Sequence, residues 1–184
     1  TQQGATITGK ANNDYFGVSV SISASGDTIV VGAWRANSDT GYAKVYKNIS
    51  GTWTQQGATL TGEADSDQFG YSVSISATGD TIVVGASGAN SNTGYAKVYK
   101  NISGTWTQQG AKITGEATND YFGYSVSISA SGDTIVVGAY RANSFTGYVK
   151  VYKNISGTWT QQGTKITGEA GSDQFGYSVS ISAS

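Results

Sequence analysis

The tetrapeptide Thr-Gln-Gln-Gly begins at Thr1, Thr54, Thr107 and Thr160, a step of 53 residues each time. A fixed period of this length constrains the fold more than any other feature of the chain. Each copy has to be one supersecondary unit that buries its apolar faces against its neighbours. The chain is therefore read as a single repeat domain, 1–184, with repeats at 1–53, 54–106 and 107–159 and a partial repeat at 160–184. The second and third copies differ at ten positions, among them Thr59/Lys112, Gln68/Tyr121 and Asn92/Phe145. Such near-identity implies recent tandem duplication or deliberate consensus design.

Inside one copy the signals are those of β-structure. Gly17-Val18-Ser19-Val20-Ser21-Ile22-Ser23 alternates apolar and small polar residues, the period of a strand. Ala24-Ser25-Gly26-Asp27 reads as a hairpin turn. Thr28 to Ala33 is continuously apolar, as in a strand covered on both faces. A polar loop, 35–40, leads to the alternating run Tyr42-Ala43-Lys44-Val45-Tyr46-Lys47, and Asn48-Ile49-Ser50-Gly51 is a second turn. A fourth strand is expected over 52–61, and a loop over 62–68 returns the chain to the next Phe-Gly. No segment has a helical period.

Four short strands per copy is the arithmetic of a propeller blade, and the predicted fold is an all-β propeller of four-stranded antiparallel blades, about three and a half in this chain. Blades pack face to face around an axis. Their innermost strands converge, which suits the small side chains of Ser19, Ser21 and Ser23. A β-helix or a row of small sandwiches is the alternative, although β-helix coils are usually shorter than this repeat.

Composition removes several function classes. The net charge is −1 and only 12% of residues are charged, with no basic cluster for nucleic acid. There is no Cys for disulfides or thiolate chemistry, and no His to serve as general base or transition-metal ligand. No apolar stretch is long enough to span a membrane, so no membrane insertion is expected. A chain that starts within the pattern and without Met is expected to be a processed product or a segment of something longer.

Several motifs recur in order. Phe16-Gly17 with Val31-Gly32-Ala33, Phe69-Gly70 with Val84-Gly85-Ala86, and Phe122-Gly123 with Val137-Gly138-Ala139 resemble the FG-GAP repeats of integrin α-chain-like propellers, and Phe175-Gly176 opens a fourth copy. The resemblance covers the whole chain. It implies a non-catalytic, extracellular or cell-surface module for adhesion or for binding protein or glycan. Some blades of that family carry a calcium loop with several Asp residues between the first two strands. Here the corresponding turn offers one carboxylate, Asp27, Asp80 or Asp133, so no metal and no cofactor is expected. Those Asp residues are expected to close the turn by hydrogen bonds to the backbone.

Differences between copies cluster in two loops. One follows Gly-Ala, at Trp34-Arg35, Ser87-Gly88 and Tyr140-Arg141, and continues to Asp39, Asn92 and Phe145. The other precedes Phe-Gly, at 10–14, 63–67, 116–120 and 169–173. In an up-and-down blade both loops lie on one face, which in integrin-like propellers is the ligand face. Trp34, Arg35, Asp39, Ser87, Asn92, Tyr140, Arg141 and Phe145 are the candidate ligand-face residues. Trp34, Arg35, Tyr140, Arg141 and Phe145 are the anchors, because aromatics and Arg dominate interface energetics. Drift on solvated loops is the plain alternative.

Three further features bear on chemistry. Glu63, Asp65 and Asp67 lie close enough in sequence to hold a cation, but a solvated turn with Asp67 capping backbone amides is the simpler reading. Asn48, Asn101 and Asn154 head Asn-Ile-Ser sequons, where glycosylation competes with a plain turn role. Serine is abundant but has no His to activate it, and no carboxylate pair stands out, so an enzyme is not expected.

The partial repeat supplies a first-type strand without its middle strands. Exposed sheet edges and an open blade face predict self-association as a dimer, ring or filament, or a place within a longer propeller. The competing function is thus a structural one: a surface appendage, a filament subunit or a self-completing scaffold.

Overall fold

The computed structural model describes residues 2–182; Thr1, Ala183 and Ser184, the outer limits of the first and partial repeats, lie outside the described residues. The chain forms three antiparallel sheets, one per complete copy. The first contains β1 (Ser19–Ile22), β2 (Thr28–Ala33), β3 (Tyr42–Ile49), β4 (Thr52–Gln55) and β5 (Leu60–Thr61). The second contains β6 (Phe69–Ile75), β7 (Thr81–Ala86), β8 (Tyr95–Ile102), β9 (Thr105–Gln108) and β10 (Ile113–Thr114). The third contains β11 (Ser125–Ile128), β12 (Thr134–Ala139), β13 (Tyr148–Ile155), β14 (Thr158–Gln161) and β15 (Ile166–Thr167). Within each sheet the first four strands pair in chain order, the up-and-down pattern of a propeller blade.

The fourth strand differs from the expectation of one run over 52–61. It is split: β4 pairs with the far end of β3 and β5 with its near end. The split recurs in all three sheets and so belongs to the repeat itself. At Gln56 the amide still donates to Val45, at 2.8 Å, while the carbonyl accepts a hydrogen bond from the indole of Trp106 in the next blade, at 3.1 Å. Trp159 makes the same bond to Gln109, at 2.9 Å.

The two large cores lie between blades, while a small cluster of Ala33, Ala36 and Tyr42 with Phe16 lies within the first. Val30, Ala43 and Val45 of the first sheet pack against Phe69, Val73, Ile75, Ile82, Val84 and Tyr99 of the second. Val83, Ala96 and Val98, on the opposite face of the second sheet, pack against Phe122, Val126, Ile128, Ile135 and Val137 of the third. The continuous apolar run Ile82-Val83-Val84 therefore serves two cores at once, one on each face.

The Phe-Gly and Gly-Ala motifs are two halves of one joint. A Cβ on Gly32 would lie 2.0 Å from the carbonyl oxygen of Gly70 in the next blade, and Gly85 and Gly138 meet Gly123 and Gly176 at the same distance. Only glycine lets the backbones approach this closely. The preceding Phe69, fully buried, is inserted beside the third strand of the first blade, where Gly41 and Phe69 form a parallel bridge.

The inner serines do more than fit a narrow space. An innermost strand is a sheet edge with unpaired amides. Ser19 and Ser21 accept hydrogen bonds from the amides of Val73 and Ile75 in the next blade, at 2.9 and 3.2 Å. Ser74 and Ser127 repeat this for Ile128 and Ile181. The partial copy thus lies along the third blade as the first strand of a fourth would.

Candidate functional site

The two variable loops meet on one face. In the loop after Gly-Ala, Asn37, Ser38 and Asp39 all have positive φ, as do their equivalents 90–92 and 143–145. This single left-handed turn was not legible as an element, because no helical period accompanies it. It aims carbonyls at the second loop: Ser66 and Gln68 donate to the carbonyls of Ser38 and Asp39, at 3.0 and 2.7 Å. Gln174 does the same to Phe145, at 2.7 Å. The rim is therefore tied together by backbone hydrogen bonds rather than by its variable side chains.

The rim carries a contiguous row of rings. Trp34 lies between Tyr15 and Tyr71, with centroid separations of 5.5 and 5.6 Å. Tyr71 meets Tyr124 at 4.8 Å, and Tyr124 meets Tyr140 at 4.3 Å and Tyr177 at 5.0 Å. Tyr140 also touches Tyr121 and Phe145. Burial, followed by hydrogen bonds to Tyr177 and Tyr71, pushes the Tyr124 phenol well above its ordinary range, so its hydroxyl keeps its proton at neutral pH. The arginines flank it. Arg35 stacks over Tyr15 at 5.1 Å and pairs with Asp39 at 3.6 Å; Arg141 is sandwiched between Tyr121 and Phe145, at 4.7 and 4.6 Å.

The five anchor candidates therefore share one rim, Trp34 and Arg35 at one end and Tyr140, Arg141 and Phe145 at the other. Asp39 orients Arg35. Asn92 is half-buried and donates to Asn119, at 3.2 Å. Ser87 is fully buried and donates to Gln68 at 3.3 Å, so it offers nothing to a ligand.

Tyr15, Tyr71, Tyr121, Tyr124 and Tyr177 were not among the candidates. A signal existed for all five, since copies differ both at Gln68/Tyr121 and at Val18/Tyr71. Tyr71 sits in the alternation of a strand, and alternation alone assigns it to a packing face. The structure places it at a β-bulge between Phe69 and Ser72, which turns its ring to the rim.

The acidic cluster does not converge. Glu63 pairs with Lys97 at 2.8 Å and with Lys112. Asp65 accepts from Thr40, at 3.1 Å. Asp67 is buried, and its Oδ2 accepts from the amides of Glu63 and Ala64 and from the Tyr95 hydroxyl. Among the described residues, no group of three acids has the spacing to hold a metal ion.

On the opposite face, Asp27, Asp80 and Asp133 close their turns, but not through the backbone bonds expected. Asp80 Oδ1 accepts from the hydroxyls of Ser76, Thr78 and Thr81, at 3.2, 2.7 and 2.8 Å. The backbone contact runs through Ser76, which accepts from the Thr81 amide. Each sequon asparagine accepts its turn's glycine amide at 2.8 Å, Gly51 to Asn48, Gly104 to Asn101 and Gly157 to Asn154.

Among the described residues, no helix is long and apolar enough to cross a membrane. No curated protein matches the sequence. Among solved structures, the fold is similar to hydrazine synthase of Kuenenia stuttgartiensis, with a TM-score of 0.54 and 15% identity over 81% of this chain and 36% of that one. It is also similar to Sqt1 of Saccharomyces cerevisiae, with a TM-score of 0.55 and 16% identity over 88% of this chain and 37% of that one. The chain thus spans little more than a third of either neighbour, and the likeness concerns fold alone. The FG-GAP repeat model matches three times, at residues 3–46, 53–99 and 106–152, each match holding one Phe-Gly and Gly-Ala pair. The chain belongs to the FG-GAP repeat family, and its blades are those of a β-propeller.

Proposed function

We propose that the chain is a non-catalytic binding module of an extracellular or cell-surface protein, and that the aromatic rim is its contact face for a protein or glycan ligand. One observation carries this reading: eight aromatic residues and two arginines, drawn from all three blades and the partial copy, gather on one face around the same row of rings. Residues of these types supply most of the energy at protein interfaces. Catalysis finds little support. The sequence has no His, and the buried Asp67 and Asp120 are occupied by backbone amides and tyrosine hydroxyls. The test is binding to protein and glycan arrays by the parent chain and by a variant with Trp34, Arg35, Tyr140, Arg141 and Phe145 all replaced by Ser. Array binding that the variant retains in full would sink the proposal.

A second reading, self-association, is favoured by a different observation. Val20 and Ile22 on β1 are 63% and 57% exposed, whereas their counterparts Val73 and Ile75 are each 7% exposed beneath the preceding blade. A second copy seated on that face would bury them. A monodisperse monomeric mass by light scattering counts against this reading; ordered polymers seen by electron microscopy support it.

A further inference from the structure

The face opposite the rim is built from the turns that barely vary between copies, and it carries the same pocket twice. Between the first and second blades, Thr28, Lys47, Gln56, Asp80, Asn101 and Trp106 line a cleft of about 350 Å³. Between the second and third blades, Thr81, Lys100, Gln109, Asp133, Asn154 and Trp159 line one of about 240 Å³. Each residue of the second set stands 53 positions after its equivalent in the first. The remaining lining positions also correspond, and the one that changes, Thr78 to Ser131, keeps its hydroxyl.

The polar groups of this pocket are pre-set. Asp80 Oδ1 is saturated by three hydroxyls, which fixes the carboxylate and leaves Oδ2 as an acceptor with no hydrogen bond among the described residues. Those hydroxyl bonds, together with Lys100, hold the Asp80 carboxyl below its ordinary range, so it is ionised at neutral pH. Asn101 spends its Oδ1 on the Gly104 amide, and its Nδ2 has no acceptor among the described residues. Lys47 is a donor from the neighbouring blade, itself 3.8 Å from Asp27. Gly104 borders the cleft with open space where a Cβ would stand, and the largely buried Trp106 forms part of the lining. One carboxylate and one ammonium cancel, so neither an anion nor a cation is favoured. Fixed acceptors and donors beside an indole, in a volume near the lower limit of about 300 Å³ for small-molecule pockets, suit one neutral polyhydroxylated ring.

We infer that each cleft between consecutive blades binds one sugar residue of a neutral glycan, and that the near-identity of the copies makes the chain multivalent for a repeating polysaccharide. A ligand site on the rim requires the blades to differ; a site in every cleft requires them to be alike. Two weak sites on one rigid body gain strongly when both engage one polymer. This site is independent of the rim.

The test is affinity electrophoresis of bacterially expressed protein, free of N-glycans, in native gels containing dextran, mannan or galactan. The parent chain should be retarded by at least one of them. Asn101→Asp with Asn154→Asp keeps the acceptor for the glycine amide and removes the outward donor; it should weaken retardation by roughly tenfold or more, and either single change by less. Lys47→Met with Lys100→Met is the second pair, and thermal unfolding verifies that each variant is folded. Migration of the parent chain unretarded in all three gels overturns the inference, as does retardation that both folded pairs retain. The five-residue serine variant of the rim should be retarded like the parent. If it alone loses retardation, the sugar is held by the rim, and the cleft inference fails while the rim reading stands.

Discussion

The indole of Trp106 donates to the carbonyl of Gln56, 3.1 Å away and 50 positions earlier, across the boundary between two blades. The bond occupies the carbonyl that the split outer strand leaves outside its ladder. Trp106→Phe keeps most of the packing and removes the donor. It should cost about 1 kcal/mol, the net worth of a hydrogen bond. Trp106→Ala should cost about 3–5 kcal/mol by opening the core between the blades. Urea unfolding of both variants checks the pair, and equal losses would show that the hydrogen bond contributes nothing.

Gly85→Ala places a Cβ 2.0 Å from the Gly123 carbonyl oxygen and 2.3 Å from Ser72 Oγ. The serine can rotate, but the backbone carbonyl can move only if the joint between the second and third blades opens. The expected loss is at the upper end of overpacking costs, about 3 kcal/mol. Gly26→Ala, where a Cβ meets nothing within 4 Å but φ is +74°, should lose only the smaller cost of a left-handed residue, about 1–2 kcal/mol. The order of the two melting temperatures tests the interlock.

Phe145 adopts φ +65°, a conformation that Asn tolerates better than an aromatic, and Asn92 holds the equivalent place in the second blade. Phe145→Asn gives up the ring under Arg141, worth about 0.5–1 kcal/mol at an exposed site. It relieves backbone strain of about 1–2 kcal/mol. Stability should hold or rise in calorimetry while any ligand binding at the rim weakens. A clear loss of stability would show that the ring does structural work there.

Acid should loosen the joints. Lys112 and Lys97 hold the Glu63 carboxyl below its ordinary value of 4.5, and Lys150 and Lys165 do the same for Glu116. A depressed folded-state value contributes stability that is complete above the unfolded value and is lost as pH falls through the folded one. The melting temperature should therefore drop between about pH 5 and pH 3. Both acids are part-exposed, so the effect is screened and should shrink in high salt. Glu63→Gln with Glu116→Gln should flatten the profile; an unchanged slope would place the acid sensitivity elsewhere.

Strands, turns and blade order were legible because they follow from alternation and period, which are local. Ser19 and Ser21 were rightly assigned to the inner strand, but their bonds to Val73 and Ile75 depend on a neighbour 54 residues away and leave no local trace. The same holds for the bond from Trp106 to Gln56 and for the bulge at Tyr71. Comparison of copies found Trp34, Arg35, Tyr140, Arg141 and Phe145, since they vary. It passed over Tyr71, Tyr124 and Tyr177, because a change from Val18 to Tyr71 in a strand looks like packing. It also passed over the clefts, whose sameness gave no contrast to detect.

The two large hydrophobic clusters straddle a boundary between copies, and this sets the unit of cooperativity. A lone 53-residue copy would keep as interior only a small cluster such as Ala33, Ala36 and Tyr42 with Phe16, so it should not fold. Stability should then grow with the number of junctions rather than with the number of copies, in even steps, like links added to a chain whose strength is in the couplings.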